Sequence, residues 1–87
     1  MSTKHLINTL TEVIKVVDNL KAIKKIEEYA ELNSNITFKG EDTGKEFVIT
    51  VKINEDDKIE IDGDVSFINI IRDVIGDYYG EMNEKEN

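Results

Sequence analysis

An alternation of apolar and polar residues predicts the central strand of this fold. Every second residue from Phe47 to Ile53 is apolar, which is typical of a strand with one buried face. A shorter alternation follows at residues 58–62, and the stretch between the two runs, residues 54–57, is polar and acidic. Such a stretch between two alternating runs indicates a hairpin loop. The two runs are therefore expected to pair as antiparallel strands.

The side chains that this hairpin brings together support one register. With a three-residue loop at 55–57, Ile53 pairs with Ile59 on one face of the sheet. The same register places Lys52 opposite Glu60 on the other face, where the two charges attract. An apolar face and a favourable charge pair thus follow from a single choice of loop length.

The residues before the central strand predict a second hairpin. A helix stop and turn at 33–35 precedes a strand at 36–39. A loop at 41–44 follows, and its last residue is a glycine that is free to adopt a positive φ. This loop pairs Phe38 with Phe47. The two hairpins share the central strand, so the sequence predicts a three-stranded antiparallel meander.

The N-terminal part of the chain, residues 2–32, has helical periodicity, but its apolar face swings by about half a turn near Asp18. One interpretation is two short helices, the second capped by Asp18. The other is one continuous helix whose first half packs against something other than the sheet, so that residues 1–18 form a dimerisation helix. Ordinary packing within the chain competes with this dimer. The residues predicted to self-associate are Leu6, Leu10, Val13 and Val17.

A last helix is predicted after a turn at 62–64, with Asp64 as its N-cap and Gly80 as its C-terminal cap. Residues 81–87 are expected to form a flexible tail. The apolar residues of this helix share one face at helical spacing, and they are Phe67, Ile68, Ile71, Val74, Ile75, Tyr78 and Tyr79.

These elements predict a single α+β domain over residues 1–87, with the terminal helices on one face of the meander in two layers. A chain of this length forms one small core. The core is predicted to contain Ile36, Phe38, Phe47, Ile49, Val51, Ile53, Ile59, Ile61, Phe67, Ile71, Val74 and Ile75.

The formal net charge of −8 is concentrated in the second half of the chain. Residues 1–40 carry six lysines and five acidic residues, whereas residues 41–87 carry five basic and fourteen acidic residues. Because phosphate groups are repelled by such a surface, direct binding to nucleic acid or to an anionic membrane is not expected. No apolar run has the length of a membrane span or of a secretory signal, which indicates a cytoplasmic protein.

The composition provides few of the residue types that catalytic sites use. The chain has no cysteine and a single histidine, His5, so neither a cysteine–histidine nor a serine–histidine–aspartate site is expected. The acidic residues fall on polar faces or in loops, and no window matches the spacing of a calcium-binding loop. We therefore expect no enzyme activity, no cofactor and no metal site.

The order helix–strand–strand–strand–helix resembles that of double-stranded RNA-binding domains over about residues 19–80. Those domains place lysines at the start of the last helix, where they contact phosphates. Here the corresponding residues are Asp62-Gly63-Asp64-Val65-Ser66, an acidic and neutral stretch. This departure removes the reason to expect RNA binding.

A second resemblance involves the acidic loops and the acidic residues that flank the third strand. Small, acidic, cysteine-free chains with a three-stranded meander between helices resemble phage-encoded anti-CRISPR proteins and other phage mimics of nucleic acid. The resemblance implies an inhibitor that occupies the basic nucleic-acid-binding groove of a host protein. The candidate partner-binding residues are Glu41, Asp42, Glu55, Asp56, Asp57, Asp62 and Asp64, with Asp73 and Asp77 as a second patch.

A different class of function also fits the sequence. The chain could be a small structural or assembly module that forms a homodimer through its N-terminal helix. Neutralising the acidic loops separates the two hypotheses, because an assembly module tolerates that change and an inhibitor of a basic protein does not.

Overall fold

Two hairpins that share a strand form the centre of the molecule. A computed structural model describes residues 3–40 and 44–80. Its elements are α1 (Thr3–Ile26), β1 (Leu32–Lys39), β2 (Glu46–Ile53), β3 (Ile59–Gly63) and α2 (Ile68–Tyr79). The strands form one antiparallel sheet in the order β1-β2-β3. This architecture confirms the predicted α+β fold.

Both predicted registers are confirmed. Phe38 lies opposite Phe47 in the first hairpin, and in the second Ile53 lies opposite Ile59 and Lys52 opposite Glu60. The loop between β2 and β3 is held by the Asn54 side chain, whose oxygen accepts hydrogen bonds from the backbone N–H groups of Asp56 and Lys58. Asp57 takes the left-handed conformation, with φ 63°, which a three-residue hairpin loop requires at this position.

Strand β1 begins four residues earlier than predicted. The expected turn at 33–35 is part of the strand, and Leu32 already lies opposite Ile53. Asn33 and Asn35 favour turns through their side chains, but here these side chains lie on the exposed face while the backbone pairs with β2. Pairing along the whole length of β2 overrides the local preference.

Helix α1 is continuous through Asp18, which decides between the two interpretations in favour of the unbroken helix. The Asp18 carboxylate instead accepts a hydrogen bond from the Tyr79 hydroxyl at 2.5 Å, which links the middle of α1 to the end of α2. The helix also ends at Ile26 rather than near residue 32, and a turn follows in which the N–H of Ala30 donates to the carbonyl of Glu27.

The first half of α1 packs against the sheet, which corrects the expectation that it packs elsewhere. Val13 and Val17 are fully buried, and Leu6 and Leu10 pack against the same cluster. These four residues are covered within the chain, so the reason for proposing self-association through them is gone. The apolar residues near the end of the helix are the uncovered ones, with Ile23 43% and Ile26 85% exposed.

The core lies between the two helices and the inner face of the sheet. The prediction that Val74 lies in the core is wrong, because its side chain is 38% exposed. Helix α2 packs over the edge strand β3, and one flank of the helix is left uncovered. Ile36, Phe38 and Phe47 are half-buried. The buried apolar residues are Val13, Val17, Leu20, Ile49, Val51, Ile53, Ile59, Ile61, Phe67, Ile71 and Ile75.

Helix α2 begins without the predicted cap. Asp64 lies four residues before the helix, and the N-cap position is taken by Phe67, which makes no side-chain capping bond. The chain instead enters the helix through a tight turn in which the N–H of Ile68 donates to the carbonyl of Val65. The prediction for the other end is confirmed, since Gly80 has φ 68° and its N–H donates to the carbonyl of Gly76 at 2.7 Å.

The hydrogen bond between Tyr79 and Asp18 makes stability dependent on pH in the alkaline range. Burial, and then the Asp18 carboxylate, raise the pKa of Tyr79 above its ordinary value of 10.0. Tyr79→Phe should therefore lower the free energy of unfolding by about 1 kcal/mol at neutral pH. The additional stability of the wild type over Tyr79→Phe is fully present below pH 10.0. It is lost as the pH rises through the raised pKa of Tyr79. Urea titrations of both proteins at several pH values measure this difference, and equal stability at neutral pH would contradict the prediction.

Candidate functional site

The loop between β2 and β3 presents three acidic residues. Glu55, Asp56 and Asp57 are all exposed, and they lie at the end of the sheet where α1 also ends. The Asp57 carboxylate is 3.9 Å from the Nζ of Lys24, a lysine that is only 5% exposed and that also donates to the carbonyl of Ala30 at 2.5 Å. Asp57 is therefore partly neutralised within the chain, while Glu55 and Asp56 carry their charge at the tip of the loop.

Asp62 and Asp64 lie at the opposite end of β3. The Asp62 carboxylate accepts hydrogen bonds from Arg72 Nη2 at 3.1 Å and from the N–H of Gly63 at 3.0 Å. Arg72 also donates from Nε to the carbonyl of Ile61 at 2.8 Å. Asp62 thus helps to hold α2 against β3, a role that the sequence analysis missed. Asp64 is exposed in the connection to α2.

Asp73 and Asp77 are exposed on α2, one helical turn apart. Beside them lie three apolar side chains at a spacing of four residues, Ile70, Val74 and Tyr78, all of them exposed. From the sequence, Val74 was predicted in the core and Tyr78 on the same apolar face of the helix. The structure places them instead in a row of apolar side chains next to an acidic row.

The acidic residues between positions 55 and 77 lie on the loop after β2, on the edge strand β3 and on α2, which packs against β3. Residues 54–80 form the loop, β3 and α2, and they contain eight acidic but only two basic side chains. We call this surface the acidic side; its acidic residues are Glu55, Asp56, Asp57, Glu60, Asp62, Asp64, Asp73 and Asp77. The remaining candidates, Glu41 and Asp42, lie outside the residues that the structure describes.

A cleft of about 540 Å³ lies beside the acidic loop. Ile53 contributes to its apolar lining, and Tyr29 of the turn after α1 lines it as well. Its charged lining has both signs, with three lysines from α1 facing acids from the turn and from the loop: Lys21, Lys24, Lys25, Glu28, Glu55 and Asp57. This cleft was not predictable from the sequence, because its walls come from two segments, residues 21–29 and 53–57, that meet only in the folded chain.

No family model, curated protein or solved structure matches the chain.

Among residues 3–40 and 44–80, no three histidine, cysteine, aspartate or glutamate side chains lie together as a metal site would need. His5 packs edge-on against Phe47 and Phe67, with ring centroids 6.2 and 6.0 Å apart, as part of an aromatic cluster. Neither helix in this part of the chain is both long and apolar enough to cross a membrane.

Proposed function

We propose that the protein is a non-enzymatic binding protein whose acidic side occupies a basic, nucleic-acid-binding surface of another protein. The observation that carries this proposal is the excess of acidic side chains on the loop, β3 and α2, with eight acidic residues against two basic ones. Charge of one sign on one side speeds the encounter with a surface of the opposite sign and makes binding sensitive to salt.

The exposed apolar row Ile70, Val74 and Tyr78 supplies affinity, which charge alone does not provide. Exposed carboxylates on a rim contribute mostly to association rate and specificity, whereas affinity comes from apolar and aromatic side chains that are buried on binding. Asp73 and Asp77 lie next to this row on the same helix. The expected partner therefore has a basic groove with an apolar strip along it.

The spacing of the acids suits a surface that normally binds phosphates. Asp73 and Asp77 are four residues apart on α2, which is about 6 Å along the helix axis. Phosphates of a nucleic-acid strand also follow one another at several ångströms. A basic protein that pairs with such a strand would meet a similar series of negative charges here.

This proposal corresponds to an inhibitor of the anti-CRISPR type, acting in the cytoplasm on a nucleic-acid-binding protein of the host. It accords with the resemblance to phage mimics of nucleic acid, and it requires neither a cofactor nor a bound metal. The inhibition is competitive, because the acidic side and the nucleic acid occupy the same groove.

The test compares two variants with the same change in charge. Asp56→Asn, Asp73→Asn and Asp77→Asn together neutralise the acidic side without touching Asp57 or Asp62, which have partners within the chain. Glu27→Gln, Glu28→Gln and Glu31→Gln neutralise the turn after α1 instead and form the control. Each protein is used to capture partners from a bacterial lysate at low and high salt, and captured proteins are then purified for competition with duplex DNA.

We expect the wild type and the control to capture a nucleic-acid-binding protein at low salt, and duplex DNA to displace it. The variant of the acidic side should bind about tenfold more weakly, since three exposed charge pairs are lost. Equal binding by both variants, or binding that duplex DNA does not compete with, would overturn the proposal.

A further inference from the structure

The outer edge of β1 has a full row of unpaired backbone groups. The N–H of Gly40 donates to the carbonyl of Lys45, which fixes the alternation of hydrogen-bonded pairs between β1 and β2. Every second residue of β1 therefore directs its N–H and C=O away from β2, and the described residues offer these backbone groups no partner. The residues concerned are Asn33, Asn35, Thr37 and Lys39.

The other edge of the sheet is protected in ways that β1 is not. Strand β3 has five residues, two of them acidic, and Arg72 covers the outward carbonyl of Ile61. Strand β1 has eight residues, contains no proline or glycine, and its single charge is Lys39 at its end. Long, regular and uncharged edges are the ones that pair with another strand.

The inner face of β1 also has apolar surface left to bury. Its residues are all half-buried, among them Leu32, Ile36 and Phe38, whereas Ile49 and Val51 of the neighbouring strand are fully buried. A strand added beside β1 would extend the sheet and cover these side chains from the open side.

We propose that the occupant of this edge is a second copy of the chain, paired through β1 in antiparallel orientation to give one continuous six-stranded sheet. Pairing centred on Ile36 uses every outward-facing residue: Asn33 lies opposite the partner's Lys39, and Asn35 lies opposite the partner's Thr37. Each of the four pairs exchanges two backbone hydrogen bonds.

Charge favours a second copy over an unrelated strand. The edge belongs to the half of the chain with nearly balanced charge, six lysines against five acids in residues 1–40. The acidic sides of both copies lie at the far ends of the extended sheet, where they repel least. In the register centred on Ile36 the two lysines at position 39 face asparagines, so no like charges meet.

Paired charge variants test the interface. Asn35→Lys with Thr37→Lys places lysines opposite each other across the two-fold axis, and Asn35→Glu with Thr37→Glu does the same with glutamates. Val48→Lys with Thr50→Lys is the control, because it adds the same charge to the exposed face of the central strand and also removes the hydrogen bond between Thr50 and Asn35. Sedimentation equilibrium at tens of micromolar measures the association of each protein.

We expect the wild type and the control to be dimers, each edge variant alone to dissociate at least about tenfold more readily, and an equimolar mixture of the two edge variants to form a heterodimer. Hydrogen exchange locates the interface: the amides of Asn33, Asn35, Thr37 and Lys39 should become protected as concentration rises, while Ile36 and Phe38 are protected at every concentration. A monomeric wild type, or a dimer whose outward amides exchange as in the monomer, would overturn the proposal. Neither result affects the binding test of the acidic side.

Discussion

Ile49→Ala is expected to lower the free energy of unfolding by about 2–5 kcal/mol. Ile49 lies in the central strand, is fully buried between the sheet and the helices, and is opposite Ile36 on one side and Gly63 on the other. The substitution removes a large side chain between β1 and β3. Because both strands are paired with β2, neither can move inward, so a cavity remains. The loss is a large part of the stability of so small a domain.

Val48→Ala is the matched control for Ile49→Ala. Val48 is the adjacent residue of the same strand, but it lies on the exposed face and is 44% exposed. Its truncation should cost less than about 1 kcal/mol. Urea unfolding of both variants measures the difference. Equal losses would mean that the two faces of β2 are not distinguished as the structure has them.

Gly63→Val should destabilise the fold by about 1–3 kcal/mol because it overpacks the junction between β3 and α2. A Cβ atom at this position would lie 3.1 Å from the carbonyl oxygen of Val48 and 3.3 Å from the Cδ1 of Ile68. The first contact is with the backbone of the central strand, which is paired on both sides and therefore cannot move away from an added side chain. The second is with the end of the Ile68 side chain, which can shift by a few tenths of an ångström, so the contact with the Val48 backbone dominates the cost.

A series at this position separates steric crowding from backbone strain. The φ of Gly63 is not positive, so its backbone accepts a side chain, and the cost should grow from Gly63→Ala to Gly63→Val. Gly44 is the contrast, because its φ is 68° and no atom of the described residues lies within 4 Å of an added Cβ. Substitution there should cost about 1–2 kcal/mol whether the new residue is alanine or leucine. Thermal unfolding of the four variants is the measurement, and a cost at Gly63 that does not depend on side-chain size would contradict the steric explanation.

The sheet was predictable because two kinds of information agreed. Alternation gave the faces of β2 and β3, and the short loops left one register that also paired Lys52 with Glu60. A slip of one residue would have turned every side chain to the wrong face, so the register is strongly determined. The start of β1 was missed because Asn33 and Asn35 are typical of turns, while an edge strand needs apolar residues only on its inner face.

The helices were predictable as elements but not in their packing. Two apolar faces of α1 compete for one sheet, and periodicity alone does not say which one wins. In the structure the face with Val13 and Val17 is covered, while Ile26 and Tyr29 remain exposed. Likewise, the exposure of Val74 depends on where α2 lies over the sheet, which is a property of the assembled domain.

The candidate site was predictable in its charge and not in its contacts. The acidic residues could be identified directly from the sequence, and the described ones are exposed as expected. Which of them have partners within the chain was not visible, because Asp57 meets Lys24 and Asp62 meets Arg72 only in the folded molecule.

The hydrogen bond between Asp18 and Tyr79 joins residues 61 positions apart, whereas every pair of strands is adjacent in sequence. Closing a short hairpin loop costs less entropy than closing the whole chain. The topology therefore favours a folding route in which the hairpins form first and the helices dock onto a sheet that already exists. The helices α1 and α2 come together last on this route, and the hydrogen bond between Asp18 and Tyr79 closes a loop that contains the whole sheet.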